Sequence, residues 1–290
     1  MSSEASDWTI GKLLDWTARH LLESGISEAR LDTEILLATA IQGRRIDLYA
    51  QHTRSATAEE RARFREMVRR RLQHEPVAYI TGKREFYGLE LKVNNRVLVP
   101  RPETELVVDE ARAWLKGKPN AKVLDVGTGS GAIVLAILKH APQTTGAAID
   151  ISPEALDVAR ENAATHGLNT RLTCRVGSLL QPLQEGEVYD VITANLPYIP
   201  TLDIAGLAPE VRREPVLALD GGADGLDLVR LLVSQAETHL VPGGRLVLEI
   251  GAGQGDSLAV WMINHGWNVG PPIRDGGGHW RVVSAGHDAV

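Results

Sequence analysis

Apolar side chains in residues 7–75 return every three or four positions. Trp8, Leu13, Leu14, Leu21 and Leu22 form one stripe, and Ile35, Leu36, Leu37 and Ala40 resume it after Asp32. That period predicts amphipathic helices sharing a core. Gly25 and Gly43 stand where helices stop. Thr57 with Glu60 three positions later reads as a capping box that opens a third helix. Its Arg61, Arg63, Arg65, Arg69, Arg70 and Arg71 interleave with Glu59, Glu60 and Glu66. Mixed charge of that kind reads as a solvated face rather than a nucleic-acid patch. Pro76 ends the helical stretch.

The period then shortens to two. Leu89, Leu91 and Val93 face one way and Glu90 and Lys92 the other. Asn94-Asn95 tolerates a left-handed turn, and Val97-Leu98-Val99 is the expected return strand of a hairpin bridging two domains. From Lys122 onward, continuous apolar runs alternate with helical stretches. The runs are Val123–Val126, Gly146–Asp150, Arg171–Val176, Val188–Ala194 and Arg245–Ile250. Strands apolar on both faces and separated by helices predict an α/β fold with a mainly parallel, Rossmann-like sheet covered on both sides. Trp280–Val283 is expected as an edge strand. The domain organisation expected is a helical bundle over 1–85, a hairpin bridge over 86–99 and an α/β domain over 100–290.

Composition narrows the function classes. With 290 residues, 43% apolar and 23% charged, the chain has material for a sizeable core. The net charge of −6 falls entirely on residues 91–290, because residues 1–90 are balanced. An acidic α/β domain is a poor default binder of nucleic-acid phosphates. The single cysteine, Cys174, excludes an intrachain disulfide and any multi-cysteine zinc site, and inside a predicted strand it reads as a small core hydrophobe. The histidines have no metal-ligand spacing, so no metal is expected. Residues 1–7 lack a secretory pattern and no run of apolar residues is long enough to span a bilayer. A cytoplasmic protein with no membrane association follows.

Asp125-Val126-Gly127-Thr128-Gly129-Ser130-Gly131 follows a predicted strand and opens a helix at Ala132. Glycines there allow a tight turn and close approach of a ligand to the backbone. Asp150 ends the next strand, where a carboxylate accepts both hydroxyls of a ribose. The constellation reads as a nucleoside-cofactor site and leaves S-adenosylmethionine and a nicotinamide cofactor equally open. Ser152 and Pro153 cap and start the following helix.

Asn195-Leu196-Pro197-Tyr198 lies just past the carboxyl end of the Val191–Ala194 run, the edge at which open α/β sheets bind ligands. An amide or exocyclic amine is a weak nucleophile, because its lone pair is delocalised. An Asn oxygen and a neighbouring backbone carbonyl accept its two N–H bonds, aim the nitrogen at an electrophilic methyl and favour the positive charge that grows on it. A tyrosine ring stacks on the planar group.

With these residues in place, the chain resembles the release-factor glutamine methyltransferases of the PrmC/HemK family over almost its whole length. The resemblance is carried by Glu75–Gly82, Glu85–Leu89, Val99–Glu105 with its Arg-Pro-Glu-Thr-Glu core, Asp125–Gly131, and Glu214–Leu219 followed by Gly225-Leu226. It implies a class I S-adenosylmethionine-dependent methyltransferase fold behind an N-terminal helical domain that engages the substrate protein. The implied reaction is methylation of the glutamine side-chain amide in the Gly-Gly-Gln motif of peptide chain release factors. It implies cofactor contacts from Gly127, Thr128, Gly129, Ser130, Gly131, Asp150, Leu179 and Asn195. It also implies a substrate site of Asn195, Leu196, Pro197 and Tyr198, with Asn195 and Tyr198 as the catalytic pair. The expected enzyme is a monomer that acts on protein and not directly on nucleic acid. Two positions depart from the family pattern. Leu196 replaces the usual proline, keeping the carbonyl while loosening the turn. Gly177-Ser178-Leu179-Leu180 stands where the family often places an acid near the adenine, so Ser178 or a backbone carbonyl is the substitute. Asn-Leu-Pro-Tyr also occurs in adenine-N6 methyltransferases of RNA, which keeps a nucleic-acid substrate as the alternative. Arg101 and Glu103 read as substrate-mouth residues or as a structural ion pair, and Glu249, which ends a strand near the cofactor edge, as structural in preference to catalytic.

Overall fold

A computed structural model describes residues 8–287, so segment 1–7, read above for a secretory pattern, lies outside the described residues. The chain divides into two compact units, one formed by residues up to Gly82 together with Pro209–Arg213, the other by Lys83–Ala208 and Glu214 onward.

The first unit is helical: α1 (Ile10–Glu23), α2 (Ala29–Ala40), α3 (Arg45–Ala50), α4 (Ala58–Leu72) and α5 (Val77–Thr81). Ile10, Leu14, Leu21, Leu36, Leu37 and Leu48 have no exposed surface, and Phe64 and Val68 of α4 close the same core. Leu22 is 61% exposed, because one residue past Leu21 is about 100° further round the helix. Thr57 accepts the Glu60 N–H at 3.2 Å while Glu60 accepts the Thr57 N–H at 2.8 Å, so the capping box forms. The arginine face needs one correction. Arg71 is 4% exposed and its Nε lies 2.7 Å from Asp32 Oδ2, with Glu210 3.5 Å from its other side. Pro76 does not end α4; it opens α5. The short α3 had no periodic signal long enough to predict it.

In the second unit a hairpin of β1 (Lys83–Phe86) and β2 (Leu89–Lys92) precedes α6 (Glu105–Leu115). Its turn is Tyr87-Gly88, with φ of 49° and 74°, and not Asn94-Asn95; Val97–Val99 forms no strand. Two adjacent left-handed residues match the twist of a two-residue hairpin, so the register closes as soon as Gly88 permits it.

Then follow β3 (Lys122–Val126), α7 (Ala132–His140), β4 (Thr145–Asp150), α8 (Pro153–Thr165), β5 (Leu172–Val176), β6 (Tyr189–Ala194), α9 (Asp227–Ala236), β7 (Leu240–Glu249), α10 (Gly255–Asn264), β8 (Trp267–Val269), β9 (Ile273–Arg274) and β10 (Trp280–His287). The sheet order is β5-β4-β3-β6-β7-β10-β8, parallel from β5 to β7, with β10 antiparallel to both neighbours. The Trp280 strand is therefore interior rather than an edge. Val282, Val283, Ser284 and Ala285 are all buried, as a strand covered on both faces requires. In β3, Val123 joins one core layer with α6 and α7, while Leu124 and Val126 join the layer under α9 and α10. Cys174, half-buried on the edge strand β5, packs against the first layer. The chain order reverses between β3 and β6, which opens a crevice at their carboxyl ends.

Candidate active site

A cavity of about 200 Å³ occupies that crevice. It is lined by Gly127, Thr128, Gly129, Ser130, Asp150, Leu179, Asn195, Leu196 and Pro197 among others. Gly131 is not among its lining; it caps α7 with φ 82°. Tyr198 also lies outside the lining, half-buried behind the loop.

The turn after β3 is drawn tight by bonds from Gly127 N and Thr128 N to Ile149 O at 2.8 and 3.1 Å. Gly127 has φ 69°, and a Cβ there would come within 2.9 Å of Leu196 Cδ2, so the two loops touch because this residue has no side chain. Asp125, beneath the turn, is 1% exposed and accepts the hydroxyls of Thr128 at 2.7 Å and Thr193 at 2.8 Å. Burial pushes its carboxyl up to about 6. Asp150 holds the Gly129 N–H at 2.8 Å and the Ser152 N–H at 2.9 Å, one on each oxygen. Burial raises its pKa against those amide bonds. Each oxygen keeps acceptor capacity for a ribose hydroxyl. Leu179, with φ 49° and 6% exposed, presents its side chain to the cavity beside Ser178.

Asn195 leaves β6 with Nδ2 donating to Thr104 Oγ1 at 3.2 Å. The Tyr198 hydroxyl donates to Glu249 Oε1 at 3.4 Å, and burial together with that carboxyl raises the phenol well above its ordinary pKa. The loop is braced from behind. Gln254 Nε2 donates to Tyr198 O at 2.9 Å, and a Cβ on Gly225 (φ 79°) would come within 2.1 Å of the same carbonyl. Arg101 pairs with Glu214, which is 4% exposed and also accepts the Val99 N–H at 3.0 Å. The Arg-Pro-Glu-Thr-Glu and Glu-Pro segments are thus clasped to each other.

Several residues of the site were not singled out by the sequence as lining it. Val97, Leu98 and Pro100 line the cavity, as do Pro215, Leu217 and Ala218. Asn162 of α8 donates to Ser130 O at 2.9 Å and exchanges bonds with the Lys92 backbone, tying the glycine loop to the hairpin. Thr104, Gln254 and Glu249 act on the loop from elements distant in sequence. The read signal available for Glu249 was its position at a strand's carboxyl end, the edge where this fold binds ligands.

The fold and the crevice define a class I methyltransferase. The methyltransferase domain family matches residues 117–252, and the PrmC N-terminal domain family matches residues 12–82. A ribosomal protein L11 methylase from Lactobacillus delbrueckii subsp. bulgaricus shares the fold, with a TM-score of 0.51 at 21% identity over 69% of this chain and 86% of that one.

The release factor glutamine methyltransferase of Geobacter sulfurreducens is 45% identical over 98% of both chains, and that of Rhodopirellula baltica 40% identical over 98% of both. The chain belongs to the release factor glutamine methyltransferase family. Among the described residues, no helix is long and apolar enough to cross a membrane.

Proposed function

We propose that this protein methylates the side-chain amide nitrogen of the glutamine in the Gly-Gly-Gln motif of peptide chain release factors, with S-adenosylmethionine as donor. The single observation behind this reading is the juxtaposition of Asn195-Leu196-Pro197 with the glycine turn and Asp150 around one cavity. The residues present fit the donor. Gly129 offers open space where a side chain would stand, and Asp150 offers free carboxylate lone pairs at the adjacent strand end. When bound, the donor supplies a methyl carbon made electrophilic by a sulfonium. Gly127–Ser130, Asp150 and Leu179 hold it, with Gly131 capping α7 behind them. Asn195 Oδ1 and the Leu196 carbonyl accept the two N–H bonds of the substrate amide and aim its nitrogen at that carbon. Pro197 stiffens the turn, and Tyr198, expected to stack on the planar group, instead braces the loop from behind through Glu249. The nitrogen would gain the methyl as the methyl–sulfur bond breaks, leaving a neutral thioether, and then release one proton to solvent. The reading carries with it a cytoplasmic monomer that acts on protein rather than nucleic acid, with the helical unit engaging the release factor.

The test uses the full chain, donor labelled in its methyl group, and three substrates: purified release factor, the same factor with its motif glutamine replaced by alanine, and structured RNA. Label is expected in the first alone; label in RNA instead would favour the adenine-N6 alternative. Asn195→Ala is expected to slow transfer by on the order of 100-fold, as loss of one preorganised polar contact does, with donor affinity changed only a few-fold. A variant that methylates at the normal rate removes Asn195 from the site.

A further inference from the structure

A carboxamide has two ends of nearly equal size, one a donor and one an acceptor. Methyl transfer as read above works only when Asn195 turns its oxygen to the substrate, and something must decide this. Asn195 Nδ2 lies 3.2 Å from Thr104 Oγ1. A threonine hydroxyl carries one hydrogen, so it receives from Asn195 only when its own hydrogen goes elsewhere. The Thr104 hydroxyl stands near the Glu249 carboxyl and favours its charged form, but no hydrogen bond closes between them, and Thr104 has no other acceptor for its hydrogen among the described residues. Glu249 is 2% exposed, holds the Tyr198 hydroxyl through Oε1 at 3.4 Å, and its Oε2 has no hydrogen-bond partner among the described residues. An orphaned buried carboxylate oxygen is costly, and natural structures rarely keep one without a use.

Resting on the reading of Asn195 as the amide acceptor, we propose that Glu249 is a positioning residue for methyl transfer. Its carboxylate takes the Thr104 hydrogen, which forces Asn195 to present its oxygen to the substrate, and it anchors Tyr198 at the other end of the same loop. The order of donation this role requires runs from Asn195 Nδ2–H to Thr104 Oγ1, as observed, and from Thr104 O–H to the unpartnered Glu249 Oε2. Protonation of Glu249 makes the carboxyl a donor, frees the Thr104 hydroxyl to turn toward Asn195, and lets the amide reverse.

The groups facing this carboxyl are Tyr198 from the loop, Thr104 and Glu103 from the segment before α6, and Arg281 from β10, itself paired with Asp275 at 2.7 Å. Arg101 acts on the Tyr198 side. Burial outweighs the two hydroxyls and Arg281, and Glu103 adds to it, so the carboxyl titrates at about 7. Transfer is therefore expected to rise with pH through neutrality and level off above it.

Steady-state transfer to release factor between pH 6 and 9, with donor affinity measured by calorimetry, tests this on the full chain. Glu249→Gln keeps shape and removes the charge. Its kcat is expected to fall 10- to 100-fold above pH 8, the scale of a misplaced reacting group, with KM and donor affinity within a few-fold and the rise through neutrality gone. Thr104→Val is expected to do the same, and Thr104→Ser, which keeps the hydroxyl, to restore most of the rate. If Glu249→Gln does not fold, the Thr104 pair carries the test alone. Normal kcat and an unchanged pH profile in Glu249→Gln, or a Thr104→Ser as slow as Thr104→Val, overturns the proposal. Should Asn195→Ala also be fully active, the site reading fails with it; if Asn195→Ala is slow, only the role of Glu249 falls.

Discussion

The helical unit and the α/β unit treat buried acids differently. In the helical unit, Asp32 is matched by Arg71, and Glu34, 4% exposed, is ringed by Arg30, Arg45 and the Tyr49 hydroxyl. Glu60 is gripped through both oxygens by Arg54 at 2.9 Å. In the α/β unit Glu214 has its arginine, but Asp125, Asp150 and Glu249 have none in hydrogen-bond contact. They are held by threonine hydroxyls, backbone amides and a phenol, and burial raises all three pKa values, as it raises that of Asp32 even beside Arg71. All three stand at or beside the carboxyl edge of the parallel sheet. A cation offsets part of that rise and commits the acid to an ion pair. Neutral donors leave it poised, and poised acids gathered at one sheet edge mark a site built for chemistry rather than for stability.

The sharpest way to break the comparison is to remove the cation from a matched acid. Arg71→Met leaves Asp32 buried without its partner, which is expected to cost about 3–5 kcal/mol, whereas Asp32→Leu combined with Arg71→Met recovers most of it. Urea unfolding of the full chain, followed by far-ultraviolet circular dichroism, reads both. A single variant that loses under about 1 kcal/mol would mean that the matched pair is no more committed than a surface ion pair.

What the sequence revealed follows the same division. Periods of three to four and continuous apolar runs located the long helices and the parallel strands, because burial imposes those patterns directly. Asp125–Gly131, Asp150 and Asn195–Pro197 were legible for a related reason: each is a local break in an apolar pattern at a strand's carboxyl end, and the structure brings Gly127–Ser130, Asp150 and Asn195–Pro197 to one cavity. The hairpin turn was misplaced because Asn94-Asn95 is the stronger left-handed pair by composition, while the core contacts of Phe86, Leu89 and Leu91 select the register that turns at Tyr87-Gly88. Arg71 was misread because a buried cation looks like any other in a row of six until its acid, 39 positions earlier, is seen beside it. Thr104 was opaque, and Glu249 legible only as a strand-end acid near the cofactor edge, for want of that same long-range information; the bonds that give them meaning cross 91 and 51 positions.

The second prediction compares two acids within the α/β unit. Glu249 has its folded pKa raised to about 7, so it binds its proton more tightly folded than unfolded. Stability from this group is present at low pH and declines as pH rises from about 4.5 to 7, by roughly 3 kcal/mol, then stays level. Glu187 is the opposite case. Arg175, paired at 2.7 Å, and the Tyr189 hydroxyl hold it down to about 2, so its contribution is present above the ordinary glutamate range and is lost as pH falls toward 2. The difference in unfolding free energy between the native chain and Glu249→Gln, measured from pH 4.5 to 7.5, is expected to shift steadily in favour of the variant. A difference flat across that range would show that the carboxyl is not held neutral by its surroundings.

The smallest expected effect is at Asp150, where the neutral donors themselves are tested. Its two oxygens receive the Gly129 and Ser152 amides, one each. Asp150→Asn keeps the shape but replaces one acceptor with an NH2 group, which must face a backbone N–H in either orientation. One amide donor is left unpaired and one ribose acceptor is lost. Loss of a charge-assisted bond of this kind costs about 1.5–3 kcal/mol, so donor affinity is expected to weaken about 10- to 100-fold, with kcat at saturating donor reduced far less. Calorimetric titration with S-adenosylmethionine beside saturating-donor kinetics separates the two. An Asp150→Asn that binds the donor normally but turns over slowly would move this acid from holding the cofactor to shaping the loop through Gly129. The contrast between the units would then rest on Asp125 and Glu249 alone.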